Sequence, residues 1–237
     1  MEKSHIGQHI SHQFNAEIED IRNKVLVMGG VVEQQIVDAI EALSLGDVGL
    51  AEKVVQTDAE VNALESEIDK ECLLIIAKRQ PAAFDLRLVI AISKTITELE
   101  RIGDQAARIA EMVFKLEENN RSVAEFYELK HLSELVRVIL HDALDAFARL
   151  DIENTVEILA QDKQIDQEYM SIFRQLTLLM MEDNRNIKRA LNIMNVIRSL
   201  ERIGDHSCNV CEYVIYAIKG KDVRHMQQED IKQAVLG

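Results

Sequence analysis

The sequence predicts an all-α protein built as two tandem antiparallel three-helix bundles, and three observations carry that prediction. Proline occurs once, at Pro81, with nine glycines and no tryptophan, so long stretches contain nothing that breaks a helix. Leu, Ala, Ile, Glu, Gln and Arg dominate, all but Ile strong helix formers. Finally, the hexapeptide Leu99-Glu100-Arg101-Ile102-Gly103-Asp104 returns 101 residues later as Leu200-Glu201-Arg202-Ile203-Gly204-Asp205. A 237-residue chain repeating at that spacing reads as a duplicated three-helix unit. A solenoid would repeat every 20–50 residues or so. The expected bundles are residues 1–119 and residues 120–237, the second with a short C-terminal tail.

The elements follow in order. From His5 to about Ser44, Ile10, Phe14, Ile18, Ile21, Val25, Met28, Val32, Ile36, Ile40 and Leu43 recur at helical spacing. Gly29-Gly30 inside this run costs about 2 kcal/mol relative to alanine. That predicts either a kink or the close approach of a neighbouring helix. Gly46-Asp47 breaks the pattern. A second helix is expected from Val48 to Lys78, with Leu50, Val54, Val55, Val61, Leu64, Ile68, Cys72, Leu73 and Ile76 inward. Arg79-Gln80-Pro81 is the turn, because proline steers the residue before it away from helix. The third helix is expected over Ala83–Glu117, and the polar, aperiodic Glu117–Ser122 is the expected linker.

The pattern then restarts. Asp142–Ile152 matches Asp38–Val48 at an offset of 104, which drops to 101 past a second turn at Glu182–Asn186. The second turn is therefore three residues shorter. After Lys219-Gly220-Lys221, the stretch Asp222–Gly237 is expected to form one more amphipathic turn or two.

A formal net charge of −14 argues against a binder of nucleic-acid backbones and against a broad basic membrane face. Partners are expected to be proteins or cations. No apolar run approaches the roughly 18 residues of a membrane span, and the N-terminal stretch lacks the apolar core of a signal peptide. Three cysteines then point to a reducing cytosol, and the expected location is cytoplasmic.

Both copies place carboxylates at i and i+4, on one helical face: Glu100 with Asp104, Glu201 with Asp205. In an antiparallel pair, residues lie level when their numbers average to the centre of the turn. Asp58 with Asp104 and Asn62 with Glu100 both centre on Pro81. Asp162 with Asp205 and Asp166 with Glu201 centre inside the second turn. The predicted result is four oxygen-bearing side chains at one level in each copy. Such a cluster repels itself unless neutralised. Arg101, Arg108 and Arg202 are candidates, and so is a bound hard cation such as magnesium, calcium, manganese or iron. Spacing alone leaves both readings open.

The two LERIGD segments, with Ile76–Pro81, Asp85–Val89, Ile92–Ile96, Glu98–Asp104, Ser199–His206, Gln13–Asn15 and Asp145–Arg149, resemble the PhoU family over essentially the whole chain. The resemblance implies two bundles related by pseudo-twofold symmetry, often dimeric. It implies a cytoplasmic negative regulator of the phosphate (Pho) regulon that links the Pst phosphate transporter, through its ATPase PstB, to the sensor kinase PhoR. It also implies metal, iron in particular, on Glu100 and Asp104 and on Glu201 and Asp205.

Other residues read more plainly. His5, His9 and His12 share a face near a helix end and are expected to be exposed. Cys208-x-x-Cys211 beside His206 lacks the further pair that a zinc site needs, so these thiols, like Cys72, are expected in the core. Met180-Met181 is expected to pack. A ferritin-like di-iron enzyme would need histidine three residues after each glutamate, and Gly103 and Gly204 stand there instead. No nucleophile–base pair or nucleotide fingerprint is present. The competing readings are an adaptor that holds cations, an interaction module whose carboxylates merely pair with arginines, and a metal-dependent oxidase or hydrolase. The adaptor is favoured and catalysis disfavoured.

Overall fold

Aspartates at matching points of the two copies start two of the helices. Asp47 accepts from the Leu50 amide and opens α2 (Val48–Arg79). Asp151 accepts from the Glu153 and Asn154 amides and opens α5 (Ile152–Glu182). Each satisfies backbone donors that a helix N-terminus leaves unpaired. The remaining helices are α1 (Lys3–Leu45), α3 (Ala83–Glu117), α4 (Tyr127–Arg149), α6 (Ile187–Lys219) and α7 (Gln228–Leu236), with a 3-10 turn at Asn184–Asn186. The structure, a computed structural model, describes residues 3–117, 127–224 and 226–236, and among these there is no strand. Beyond Glu117 the expected linker lies outside the described residues. The C-terminal stretch forms a nine-residue helix, α7, which packs on α5.

Helices α1, α2 and α3 pack on one another, as do α4, α5 and α6. The most extensive pairing is neither of these. It is α3 against α6, the seam between the two copies, and α1 also touches α4. One continuous apolar core therefore runs through both bundles, from Ile21 and Val25 on α1 to Val210 and Val214 on α6. A smaller cluster of Ile215, Val223, Ile231 and Val235 seals the base of α7.

The Gly29-Gly30 expectation resolves residue by residue. A Cβ at Gly29 would lie 2.7 Å from Leu144 Cδ2, so α4 approaches α1 closely there. Gly30 has nothing within 4 Å. The two α1–α2 and α4–α5 corners use the same left-handed backbone at matching points, with φ +69° at Gly46 and +52° at Leu150. Arginines cap across the seam. Arg22 Nη2 donates to the Ala148 carbonyl at 2.6 Å, and Arg87 Nε to the Ala217 carbonyl at 3.1 Å. Both sit at helix C-termini, where positive charge is favoured.

Two expectations need correction. Val55 and Leu73 point outward, 36% and 59% exposed, and Ala51 and Ile75 take the inner face. The buried stripe of α2 steps by sevens along 54, 61, 68 and 75 and along 51, 58, 65 and 72. That is coiled-coil spacing, and Val55 and Leu73 fall outside it. Met181, expected to pack, is 78% exposed at the end of α5, where no neighbouring helix reaches it; Met180 does pack.

Candidate functional site

The same stripe explains the acidic faces. Positions 58 and 65 on α2 belong to the row that Ala51 and Cys72 bury, yet they hold Asp58 and Glu65. On α5 the corresponding row is Thr155, Asp162, Tyr169 and Leu176. Each copy thus puts an aspartate where packing would favour an apolar side chain. Opposite stand the glycines of the repeated motif. A Cβ at Gly103 would meet Gln35 Oε1 at 3.1 Å and Val61 Cγ1 at 3.3 Å. At Gly204 it would meet Ile165 Cδ1 at 3.0 Å. These small residues let α3 and α6 lie close on α2 and α5, which brings the carboxylates of both helices together.

Their charges act on one another across the helices. Asp58 is raised from its ordinary range by burial and then by the Asp104 charge, with a hydrogen bond from Asn62 Nδ2 (3.2 Å) working against both. Glu100 is raised by burial and by Asp104, Glu65 and Asp58. In the second copy Asp162 is pushed up to about 6 by burial, Asp205 and Asp166, although the Cys208 thiol donates to it. Glu201 is raised by burial, Asp205 and Asp166, and Asp205 by burial and Asp166. Of the pairs expected to lie level, Asp58 acts with Asp104, Asp162 with Asp205 and Glu201 with Asp166; Asn62 meets Asp58, and Glu65 joins the first copy.

Arginine offsets this charge only in part: Arg101 acts on Glu100, Arg202 and Arg198 on Glu201, and His206 and Arg202 on Asp205, without reversing the upward shifts. Among the described residues, the only ion pair that the eight predicted side chains make is Arg108 Nη2 with Asp104 Oδ2, at 4.0 Å. Arg101 turns away, to Glu98 at 3.2 Å. Asp58 Oδ1 is buried without a hydrogen-bond partner. An all-oxygen donor set with an orphaned carboxylate oxygen has the chemistry of a hard-cation site. As placed, however, no group of three or more His, Cys, Asp or Glu side chains among the described residues is arranged to hold a metal ion. The donor chemistry fits; a closed ligand shell is not formed.

Sequence reasoning passed over the seam. Glu98, 3% exposed, accepts from His206 Nδ1 at 2.6 Å, Asn209 Nδ2 at 3.1 Å, the Tyr213 hydroxyl at 3.1 Å and Arg101 Nη1 at 3.2 Å. Burial alone would raise its pKa. The His206 and Asn209 hydrogen bonds outweigh it, and the carboxyl sits below its ordinary value. Tyr213 is pushed up to about 12 by burial and the Glu98 charge. Lys94 Nζ lies 5.3 Å and 5.4 Å from the Tyr213 and Tyr216 ring centroids. The available signal was a glutamate on the apolar stripe of α3. Cys72, Cys208 and Cys211 are buried free thiols, as expected. The side chains of His5, His9 and His12 lie outside the described residues.

Comparison with known proteins gives one consistent result. The family model described as the PhoU domain matches twice, over residues 25–113 and 129–214. The chain is 48% identical over 235 residues to the phosphate-specific transport system accessory protein PhoU homolog of Pseudomonas putida, covering 99% of this chain and 92% of that protein. It is 47% identical to the phosphate-specific transport system accessory protein PhoU of Escherichia coli K12, covering 100% and 98%. The crystal structure of PhoU from Pseudomonas aeruginosa superposes with a TM-score of 0.84 at 48% identity, over 88% of this chain and all of that one.

Proposed function

This chain belongs to the PhoU family, and from that premise we propose that it is an accessory protein of phosphate-specific transport that works by binding. The family is one of accessory and regulatory proteins, not of enzymes. The observation that carries the reading is the near-complete coverage of both chains at 47–48% identity with relatives bearing that name. The finer reading is a negative regulator of the phosphate regulon that couples the ATPase of the Pst transporter to the sensor kinase PhoR from the cytoplasmic side, as a homodimer. No helix among the described residues is long and apolar enough to cross a membrane, so contact with a membrane would come through those partners.

The acidic faces supply the chemistry of this reading. The two halves, residues 1–119 and 120–237, each carry one. Asp58, Asn62, Glu100 and Asp104 would hold one cation, and Asp162, Asp166, Glu201 and Asp205 another, with water completing the shell. A bound iron, manganese or magnesium ion would relieve the repulsion that raises Asp58, Glu100, Asp162, Glu201 and Asp205. It would remove about half or more of the negative charge of each face, which changes what can dock there. The test is affinity capture of the tagged full chain from phosphate-replete cells. Recovery of transporter ATPase and sensor kinase is the expected result, and recovery of neither would remove the coupling role.

A further inference from the structure

A groove of about 290 Å³ opens between α3 and α6 farther along the seam from Glu98, where residues 108–115 meet 195–199. Three cations, Arg108, Lys115 and Arg198, line it, with Asn195, Ser199 and the single carboxylate of Glu111. In a chain of net charge −14 that is an unusual local balance. Arg198 makes no hydrogen bond among the described residues and acts on Glu201 only through its charge, and Arg108 reaches Asp104 at 4.0 Å.

The internal repeat says what such a groove lacks. Shifted by 101 residues, Ser199 corresponds to Glu98 and Arg108 to Asn209. At one end of the seam, α3 supplies a buried carboxylate, Glu98, and α6 supplies donors that hold it, Asn209 among them. At the other end of the seam the roles are exchanged. There α3 presents Arg108 where Asn209 would be, and Arg198 comes from α6. At the anion's own position α6 carries only the hydroxyl of Ser199. One copy builds its anion into the chain; the other has a hydroxyl in that place and a guanidinium where Asn209 would stand, while His206 and Tyr213 give way to Gln105 and Met112.

We propose that this groove binds a phosphoryl group, either as inorganic phosphate or on a small phosphorylated molecule. A phosphoryl group matches the lining better than a carboxylate does. It spreads about two negative charges over several acceptor oxygens, against the guanidiniums of Arg108 and Arg198, a hydroxyl and an amide, and guanidinium forks pair with it bidentately. The proposal goes beyond the transport-accessory reading and does not rest on it.

The test is isothermal titration of the full-length protein with inorganic phosphate and, separately, with ADP, at constant ionic strength against a chloride control. Saturable binding is expected for at least one ligand. Tighter binding of phosphate assigns the free ion, and tighter binding of ADP assigns a carried phosphoryl group. Arg198→Gln, at an exposed position, is expected to weaken binding about tenfold. Ser199→Glu, which restores the built-in carboxylate, is expected to abolish it. The proposal is overturned if neither ligand binds below about 10 mM, if chloride does as well, or if both variants bind like the parent.

Discussion

Replacing Asp162 by asparagine should make the protein more stable, although it removes a side chain from the candidate site. Asp162 titrates at about 6 against an ordinary 3.8, because burial and the charges of Asp205 and Asp166 oppose its ionisation. A carboxyl whose pKa is raised on folding costs nothing below the unfolded value, where both states are protonated. The cost grows as pH climbs from about 4 to 6 and is complete above the folded value. At face value it amounts to about 3 kcal/mol. Water reaches part of the group, and screening brings the expected cost to about 1–2 kcal/mol. Asparagine keeps the shape and an oxygen for the Cys208 thiol but carries no charge. For a chain of this length the gain corresponds to a rise of roughly 3–6 °C in melting temperature. The assay is a thermal melt of both proteins in chelator at pH 7.5 and again near pH 4.5. The expected result is a clear gain at pH 7.5 that shrinks on acidification. A loss at pH 7.5, or an equal gain at both pH values, would refute the account of a self-repelling face. Added manganese should then stabilise the parent more than the variant.

Glu98 predicts the opposite sign. Its carboxyl is held below its ordinary value, so its contribution is present at neutral pH and is lost as pH falls through the folded value. Glu98→Ala orphans the donors of His206, Asn209 and Tyr213 and should cost about 3 kcal/mol in urea denaturation at pH 7.5. Glycines separate by local space: Gly30→Ala, facing open room within a helix, should stabilise by about 1 kcal/mol. Gly46→Ala, at φ +69°, should destabilise by about 1–2 kcal/mol in the same assay. The combined Glu100→Ala and Glu201→Ala variant should lose bound metal, read by elemental analysis of protein purified without chelator. Unchanged metal content would remove those residues as ligands.

Helix order was legible because the periods are long and the punctuation is sparse: the expected third helix, Ala83–Glu117, is the observed α3. That Asp58 meets Asp104 and Asp162 meets Asp205 was legible because an antiparallel hairpin converts residue number into height. What periodicity blurred was phase. A stripe read at 3.6 residues per turn drifts from one stepping by sevens, which is how Val55 and Leu73 were placed inside and Glu65, one step along the row from Asp58, was missed. The seam was hidden for a different reason. No spacing rule within one copy says that α3 will face α6, so the partners of Glu98, at residues 206, 209 and 213, could not be read from its own helix.

Because α3 and α6 lean on each other more than on any single neighbour, neither copy owns a complete wall. Severed between α3 and α4, each half would expose a long oily flank and would cling to whatever apolar surface came near. The duplication carries its own mate, and that mate is permanently attached. Such a molecule should come apart in a single cooperative event, with both acidic faces lost together.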